Sequence, residues 1–302
     1  MDLEQVTALK RRIKQDAFRA MAPPFSYGVG LTETSGEYKL AVRVPNDEAS
    51  RWFARNYAPR IGASLAEVDV RIVGEPEPVP PATRRLDRRE RLAIGTTVRH
   101  EQGRPGTLAF FARRNGLRGL VSCNHVIALS DRACPRDPIH GPDDTQIGQL
   151  CCFPPLNVGT QIVKADAAFA TVDDEHWPDH PGSLGEDGVL SAVPPALTKQ
   201  TAVFKIGSTT RRTLGIVTAI RLDEFRFDYR EFFTSFDGVI EVQSVNDVDT
   251  FSDPGDSGSL VVTCDENKPV GVLFGERVST GLHYLNPIGS VLDALQVEMV
   301  VA

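Results

Sequence analysis

Three short segments carry residue types that could do chemistry together: Ser122-Cys123-Asn124-His125-Val126-Ile127, Lys164-Ala165-Asp166-Ala167-Ala168-Phe169-Ala170, and the run from Phe251 through Gly255-Asp256-Ser257-Gly258-Ser259 to Val262. A serine hydroxyl is a poor nucleophile near neutral pH and needs an adjacent base to take its proton. Histidine suits that task because its ordinary pKa lies near the working pH. A carboxylate on the other ring nitrogen fixes the tautomer and stabilises the imidazolium. The Gly255-Asp256-Ser257 turn adds a further property. Glycine tolerates backbone conformations that bring successive N–H groups to one point, where they can hold the oxyanion of a tetrahedral intermediate. His125 alone, beside an apolar strand, is more often a satisfied core or surface residue, and Asp166 alone says less still. The Gly-Asp-Ser-Gly-Ser turn ahead of an apolar strand is the specific signal.

The elements that must position these residues are short. From Gly95 onward, apolar runs such as TLAFFA, GLVSCNHVIAL, DAAFATV, AVFKIGS, LGIVTAI, GVIEVQSV, SLVVTC and VGVLFG recur between turn residues, with little helical periodicity. That texture predicts a sandwich or barrel of antiparallel strands. The C-terminal run NPIGSVLDALQVEMV, apolar at Ile288, Val291, Leu292 and Leu295, predicts a closing helix. Residues 75–94 form a Pro- and Arg-rich linker. Before it, residues 1–74 read as helix–strand–strand–helix–strand, a small α+β domain. Its first helix carries Leu3, Val6, Leu9, Ile13 and Phe18 at helical spacing. Leu40, Val42 and Val44 alternate with Lys39, Ala41 and Arg43 as a half-buried strand after a turn at Ser35-Gly36. Asn46 or Asp47 caps a helix reaching Tyr57, and Val68, Val70 and Ile72 share one strand face.

The order His125, Asp166, Ser257, with gaps of 41 and 91 residues and the serine in Gly-Asp-Ser-Gly, resembles the chymotrypsin-like (trypsin-fold) serine proteases. The likeness spans residues 95–300. It implies a mainly β fold, a double antiparallel β-barrel preceded by the small α+β domain and closed by the C-terminal helix. It also implies a serine endopeptidase acting on proteins or peptides without cofactor or metal. Matched residue by residue, His125 is the general base, Asp166 the orienting acid, Ser257 the nucleophile, and the N–H groups of Gly255 and Ser257 the oxyanion hole. The position six before the nucleophile, which floors the family's specificity pocket, is Phe251, and the match places Ser252, Pro254 and Phe274 around it. Basic specificity needs a carboxylate at that floor, so a small or apolar side chain is expected instead. SCNHVIA, VFKIGSTTRRTLGIVTAI, FSDPGDSGSLVV and NPIGSVLDAL look closer still to the intracellular trypsin-like proteases of the plant Narrow Leaf type and their bacterial relatives, which also carry a small domain ahead of the protease. Where secreted zymogens insert a freed N-terminus beside the Asp preceding the serine, this chain offers only Arg91-Leu92-Ala93-Ile94-Gly95, read as ordinary exposed chain.

Composition bounds the rest. A chain of 302 residues fits two domains, or one large β domain with an appendage. With 33 Lys and Arg against 40 Asp and Glu, it lacks the basic surface that phosphate-backbone binding needs, so no nucleic-acid partner is expected. No apolar run is long enough to span a membrane. The start reads as a charged helix without the apolar core of a secretory signal. The five cysteines include no CxxC, and none directly follows His125, where the secreted enzymes place a bridged one. Together these predict a cytoplasmic, reducing location. The α+β domain is read as a site of self-association or of a partner protein.

Several other signals are set aside. Glu175-His176-Trp177-Pro178-Asp179-His180 and His140 with Asp143 and Asp144 read as loops rather than metal sites. Gly207-Ser208-Thr209-Thr210-Arg211-Arg212 lacks the Lys and the helix of a phosphate cradle and reads as a hairpin near the cleft. The aromatic cluster Phe225, Phe227, Tyr229, Phe232, Phe233 and Phe236 fits either an exposed recognition loop or packing. Arg84, Arg85, Arg88, Arg89 and Arg91, interrupted by acids, read as solvated linker. An esterase elbow needs glycine where Ser259 stands. A scaffold that keeps the protease fold without turnover is the alternative function, and the complete triad argues against it.

Overall fold

A computed structural model describes residues 1–34, 36–78, 91–198, 201–245, 250–277 and 280–301. Ser35 of the expected Ser35-Gly36 turn, and Arg84, Arg85, Arg88 and Arg89 of the linker, lie outside the described residues.

Helix α1 (Leu3–Gln15) starts at Asp2, whose carboxylate accepts from Gln5 N while the Gln5 side chain reaches back to Asp2 N, a reciprocal cap. It buries Val6, Leu9 and Ile13, the expected stripe. Strands β1 (Ser26–Leu31) and β2 (Tyr38–Val44) form a hairpin. Asn46 caps α2 (Asp47–Trp52) by accepting from Ala49 N at 2.9 Å, and the helix runs on through one wider turn to Tyr57. β3 (Val68–Ile72) then pairs parallel with β2. As the outermost strand it loses cover along its length: Val68 is buried and Ile72 is exposed.

β2 is buried on both faces, which differs from the half-buried strand its alternation suggests. Arg43 is only 2% exposed. Its guanidinium makes two bonds to Glu241, at 2.6 and 2.7 Å, and two to Asp69, to the carboxylate at 3.1 Å and the backbone carbonyl at 3.0 Å. Burial pushes Glu241 upward in pKa, but the charge and hydrogen bonds of Arg43, with the charge of Arg71 and the Thr218 hydroxyl, together hold the carboxyl below its usual value.

After β4 (Glu77–Pro78), the strands β5 (Thr97–His100), β6 (Gly106–Thr107), β7 (Phe110–Arg114) and β8 (Leu117–Ser122) lead to the short helix α3 (Asn124–Ile127). β9 (Pro138–His140), β10 (Gln146–Cys152), β11 (Ile162–Val163) and β12 (Ala168–Val172) follow. The second half comprises β13 (Ala202–Gly207), β14 (Arg211–Asp223), β15 (Phe225–Asp228), β16 (Phe233–Phe236), β17 (Val239–Ser244), β18 (Leu260–Thr263), β19 (Pro269–Arg277) and β20 (Leu282–Pro287). Helix α4 (Ile288–Leu295) and β21 (Glu298–Met299) end the chain.

Two curled sheets and a small three-stranded one, β11-β16-β15, result. The first runs β21-β7-β8-β12-β10-β9-β5-β6, so the end of the chain returns to the first half. The second runs β13-β18-β19-β20-β17-β14 and closes by β14 pairing β13, a six-stranded barrel. β14 is long enough to serve two neighbours on one side: Arg211–Ile216 pair with β13, and Ala219 to Asp223 pair with β1. Through β1 the sheet of the first 74 residues, covered by α1, is hydrogen-bonded to the barrel. Val6, Leu9 and Ile13 share an apolar core with Val217, Val242 and Phe251. β4 pairs antiparallel with Gly275 and Glu276 of β19. Among the described residues no helix is long and apolar enough to cross a membrane.

Candidate active site

The histidine segment stands where β8 ends. Its last residue, Ser122, and Cys123 lead into α3, which presents His125. Asp166 precedes β12 and is fully buried between Ala165 and Ala167, also fully buried. β12 pairs with β8, Ala168 facing Ser122, so the register of two neighbouring strands brings Asp166 and His125 together. Asp166 Oδ1 accepts from His125 N at 3.2 Å, and Oδ2 meets His125 Nδ1 at 2.5 Å. A carboxylate can only accept here, so Nδ1 carries the proton and Nε2 keeps its lone pair. Nε2 is buried and has no hydrogen-bond partner among the described residues.

The serine segment is clamped to the histidine segment by β6. Thr107 N donates to Ser257 O at 2.8 Å, and Ser122 Oγ donates to Thr107 O at 2.7 Å. Gly258, at φ 93°, has no room for a side chain: a Cβ there would lie 2.2 Å from Thr107 O and 2.5 Å from Ser122 Oγ. Gly255 has φ 105°, a backbone conformation suited to glycine. The carbonyls of the turn are pinned. Pro254 O accepts from Thr209 Oγ1 at 2.8 Å. Asp256 O accepts from Ser259 N and Ser259 Oγ at 2.9 and 2.6 Å. In a trans peptide the N–H points opposite to its carbonyl, so these bonds also set the directions of Gly255 N–H and Ser257 N–H.

Asp256, beside the serine, is fully buried and faces a buried cation. Lys205 Nζ lies 3.2 Å from its Oδ2, and also bonds Thr210 Oγ1 and Arg211 O. The β13–β14 turn adds Thr209 N at 2.9 Å, Thr210 N at 3.3 Å and Thr210 Oγ1 at 2.6 Å, and Asp253 N adds a bond at 3.0 Å. The Gly207–Arg212 stretch is thus a hairpin at the site, holding the residue before Ser257. Burial lowers the pKa of Lys205, the nearby Asp256 charge opposing it only in part. This cation holds the aspartate that directly precedes Ser257. Lys205 carried no signal in the sequence beyond a charge inside an apolar run.

The residues matched to a specificity pocket do not act alike. Phe251 is fully buried, and its ring meets that of His283 at 5.2 Å. Phe274 is also fully buried, packed on Phe227 and Phe236 at 4.8 and 5.0 Å. Pro254 is exposed. Ser252 Oγ donates to Glu276 Oε2 at 2.8 Å and meets His283 Nδ1 at 2.9 Å. Glu276 and His283 are cross-strand partners in β19 and β20, and sequence reading missed both. The acid in the apolar strand PVGVLFGER was the available signal. Burial, with the charge of Lys205 added, lowers His283 to about 4, so its ring is neutral.

The aromatic cluster is packing for the most part. Phe225, Phe227 and Phe236 are buried, and Tyr229 donates its hydroxyl to Asp166 Oδ2 at 2.6 Å. Among the described residues, Cys123, His125 and Asp166 are the cluster of His, Cys and carboxylate atoms close enough to share a metal, all within 4.8 Å. Their chemistry does not fit one. Burial pushes the Cys123 thiol well up, so it keeps its proton and donates to Leu273 O at 3.3 Å. All five cysteines are unpaired. His140 bonds within its own loop, to Asp144 O at 2.9 Å.

No family model and no curated protein matches the chain. Solved structures do. A glutamic-acid-specific serine protease, described as using a histidine triad in substrate binding, is 17% identical with a TM-score of 0.51, covering 69% of this chain and 100% of its own. Thermobifida fusca protease A is 15% identical with a TM-score of 0.49, covering 70% and 100%. Cellulomonas bogoriensis chymotrypsin is 19% identical with a TM-score of 0.46, covering 70% and 100%. The structural neighbours are chymotrypsin-like serine proteases, and the chain has their double-barrel fold, mainly β with a C-terminal helix.

Proposed function

We propose that the protein is a serine endopeptidase that hydrolyses peptide bonds through an acyl-enzyme on Ser257. The observation that carries this reading is the His125 ring, held by a buried carboxylate at Nδ1 with its Nε2 lone pair unpartnered, in a fold that ties the serine turn to the same β6 strand. Ser257 Oγ attacks the scissile carbonyl carbon and its proton passes to His125 Nε2. The carbonyl oxygen becomes an oxyanion and is received by Gly255 N–H and Ser257 N–H, whose directions the pinned carbonyls set. As the tetrahedral adduct collapses, the C–N bond breaks and Nε2 returns the proton to the leaving amine. Water, deprotonated by the same nitrogen, then releases the acid and restores the serine. An extended substrate adds to the edge of β19 at Gly275 and Glu276, beside the serine turn, and displaces the pairing that β4 makes there.

Fluorophosphonate labelling tests the reading. The full chain is expected to label, and Ser257→Ala to lose all label while unfolding at the wild-type temperature. A folded wild-type chain that takes no label would replace the enzyme with the scaffold alternative. A peptide-library profile then reads the preference set around Phe251, Ser252, Glu276 and His283.

A further inference from the structure

Asp166 is fully buried, and among the described residues two supply its hydrogen bonds. His125 supplies its backbone N–H to Oδ1 and its ring Nδ1–H to Oδ2. Tyr229, 63 residues further along the chain, supplies its hydroxyl to Oδ2 at 2.6 Å. That hydroxyl is held from behind. Tyr229 N donates to Phe232 O at 3.0 Å, closing the loop between β15 and β16. The Tyr229 ring stacks on Phe232 at 5.2 Å with 20° between planes, and meets Phe227 at 5.0 Å. Phe227 in turn packs on Phe274. Burial, reinforced by the charge of Asp166, pushes the phenol well above its ordinary pKa, so it stays a donor.

We propose that Tyr229 is a positioning residue of the triad: its hydroxyl fixes the rotation of the Asp166 carboxylate and draws charge from the oxygen that faces His125, thereby setting the basicity of Nε2. The proposal rests on the peptidase reading for its kinetic consequence, but not for its chemistry. Two short bonds to one oxygen compete for the same electron density. With the phenol present, Oδ2 is pinned toward Nδ1 and its charge is shared. With the phenol replaced by Phe, the carboxylate loses one of its three donors. The remaining charge falls on the Nδ1–H bond, the imidazolium is held more tightly, and the carboxylate regains rotational freedom about its terminal torsion. The titratable groups around the pair are Cys123 from the residue before α3, Asp131 from the loop after it, and Tyr229 itself. Asp131 is engaged by Asn124 Nδ2 and by the N–H groups of Leu156 and Asn157. Burial keeps the thiol and the phenol protonated through neutral pH.

Tyr229→Phe is the test, because it keeps the ring that packs on Phe227 and Phe232. Three readouts are compared with wild type. At pH 8, kcat/KM is expected to fall about tenfold or more, the scale of one hydrogen bond to a charged group, through kcat with KM little changed. The midpoint of the acidic limb of kcat/KM is expected to move up by about half a unit or more. The downfield proton resonance of the Nδ1–H bond is expected to shift. A purely structural role would lower melting temperature and move neither limb nor resonance. A Tyr229→Phe protein with the wild-type limb and resonance overturns the proposal. The resonance reports the His125–Asp166 bond whether or not the protein turns over substrate. A wild type that shows the resonance but takes no fluorophosphonate therefore rejects the peptidase reading and leaves this proposal to be judged by the resonance alone. If Tyr229→Phe does not fold, Phe232→Leu, which removes the stacking partner and keeps the hydroxyl, must move limb and resonance the same way by a smaller amount, or the proposal fails.

Discussion

Replacing Lys205 by Met removes a buried cation from a buried carboxylate. Nζ and Asp256 Oδ2 are 3.2 Å apart and both side chains are fully buried. At an effective dielectric constant near 20 the attraction over that distance is about 5 kcal/mol. Desolvation offsets much of it, as the lowered pKa of Lys205 shows. Deleting one partner is a different matter, since Asp256 then stays buried and charged, at a cost of about 3–5 kcal/mol. Its four remaining donors, from Thr209, Thr210 and Asp253, favour the lower end of that range. Urea unfolding should therefore show Lys205→Met about 3 kcal/mol less stable, and fluorophosphonate should label it more slowly because the turn before Ser257 is no longer held. Asp256→Asn should cost a similar amount by stranding the lysine. The double variant should lose far less than the sum, a coupling of about 2 kcal/mol or more. Arg91→Gln, which removes the basic residue just ahead of Leu92, should label as fast as wild type, since Lys205 holds Asp256 without any amine released by cleavage there. A Lys205→Met protein within about 1 kcal/mol of wild type that labels at the wild-type rate, or additive losses in the cycle, would refute the reasoning.

Two further outcomes follow from single residues. His283 is lowered to about 4 in the fold against about 6.5 unfolded. As pH falls below the higher value the unfolded chain gains a proton that the fold refuses, so stability is lost between the two values and is level below the lower. Between pH 7 and pH 5 the wild type should lose about 2 kcal/mol more than His283→Leu in urea titrations, and equal losses would count against a neutral buried ring. Gly258→Ala forces a Cβ to within 2.2 Å of Thr107 O at a positive φ. Labelling of Ser257 should disappear in it, and a fully labelled Gly258→Ala protein would show that β6 does not clamp the turn.

The three candidate site residues stood out because each sits in a local signal: a strand running into His125, an acid entering an alanine-rich strand, and a glycine turn before Ser257. Local signals also marked the Asp47 helix through Asn46, the buried face of α1, and the closing helix α4. What escaped is what depends on distant partners. Arg43 alternates with apolar neighbours as a solvent-facing residue would, yet Glu241, 198 residues away, lets it be buried. Lys205 sits in an apolar run for the same reason, and only the fold shows Asp256 opposite it. Tyr229 reads as one aromatic among six until the loop after β15 brings its hydroxyl to Asp166. The pairing of β1 with β14 is backbone to backbone, so no side chain announces it. β9, β11 and β21 are too short for alternation to register.

The pairing of β1 with β14 changes what it means to take this chain apart. A cut anywhere in the linker severs one covalent connection but none of the hydrogen bonds from Tyr27, Val29 and Gly30 to Asp223, Ile220 and Ala219. It leaves the ion pair between Lys10 and Asp223, at 2.9 Å, and the Arg43–Glu241 pair in place. The two fragments would stay together as a nicked whole. Removing the first fragment outright would strip cover from Val217 and Val242, which share an apolar core with Phe251, and leave Glu241 without Arg43. The leading segment is thus less a detachable accessory than a continuation of the sheet that forms the second barrel.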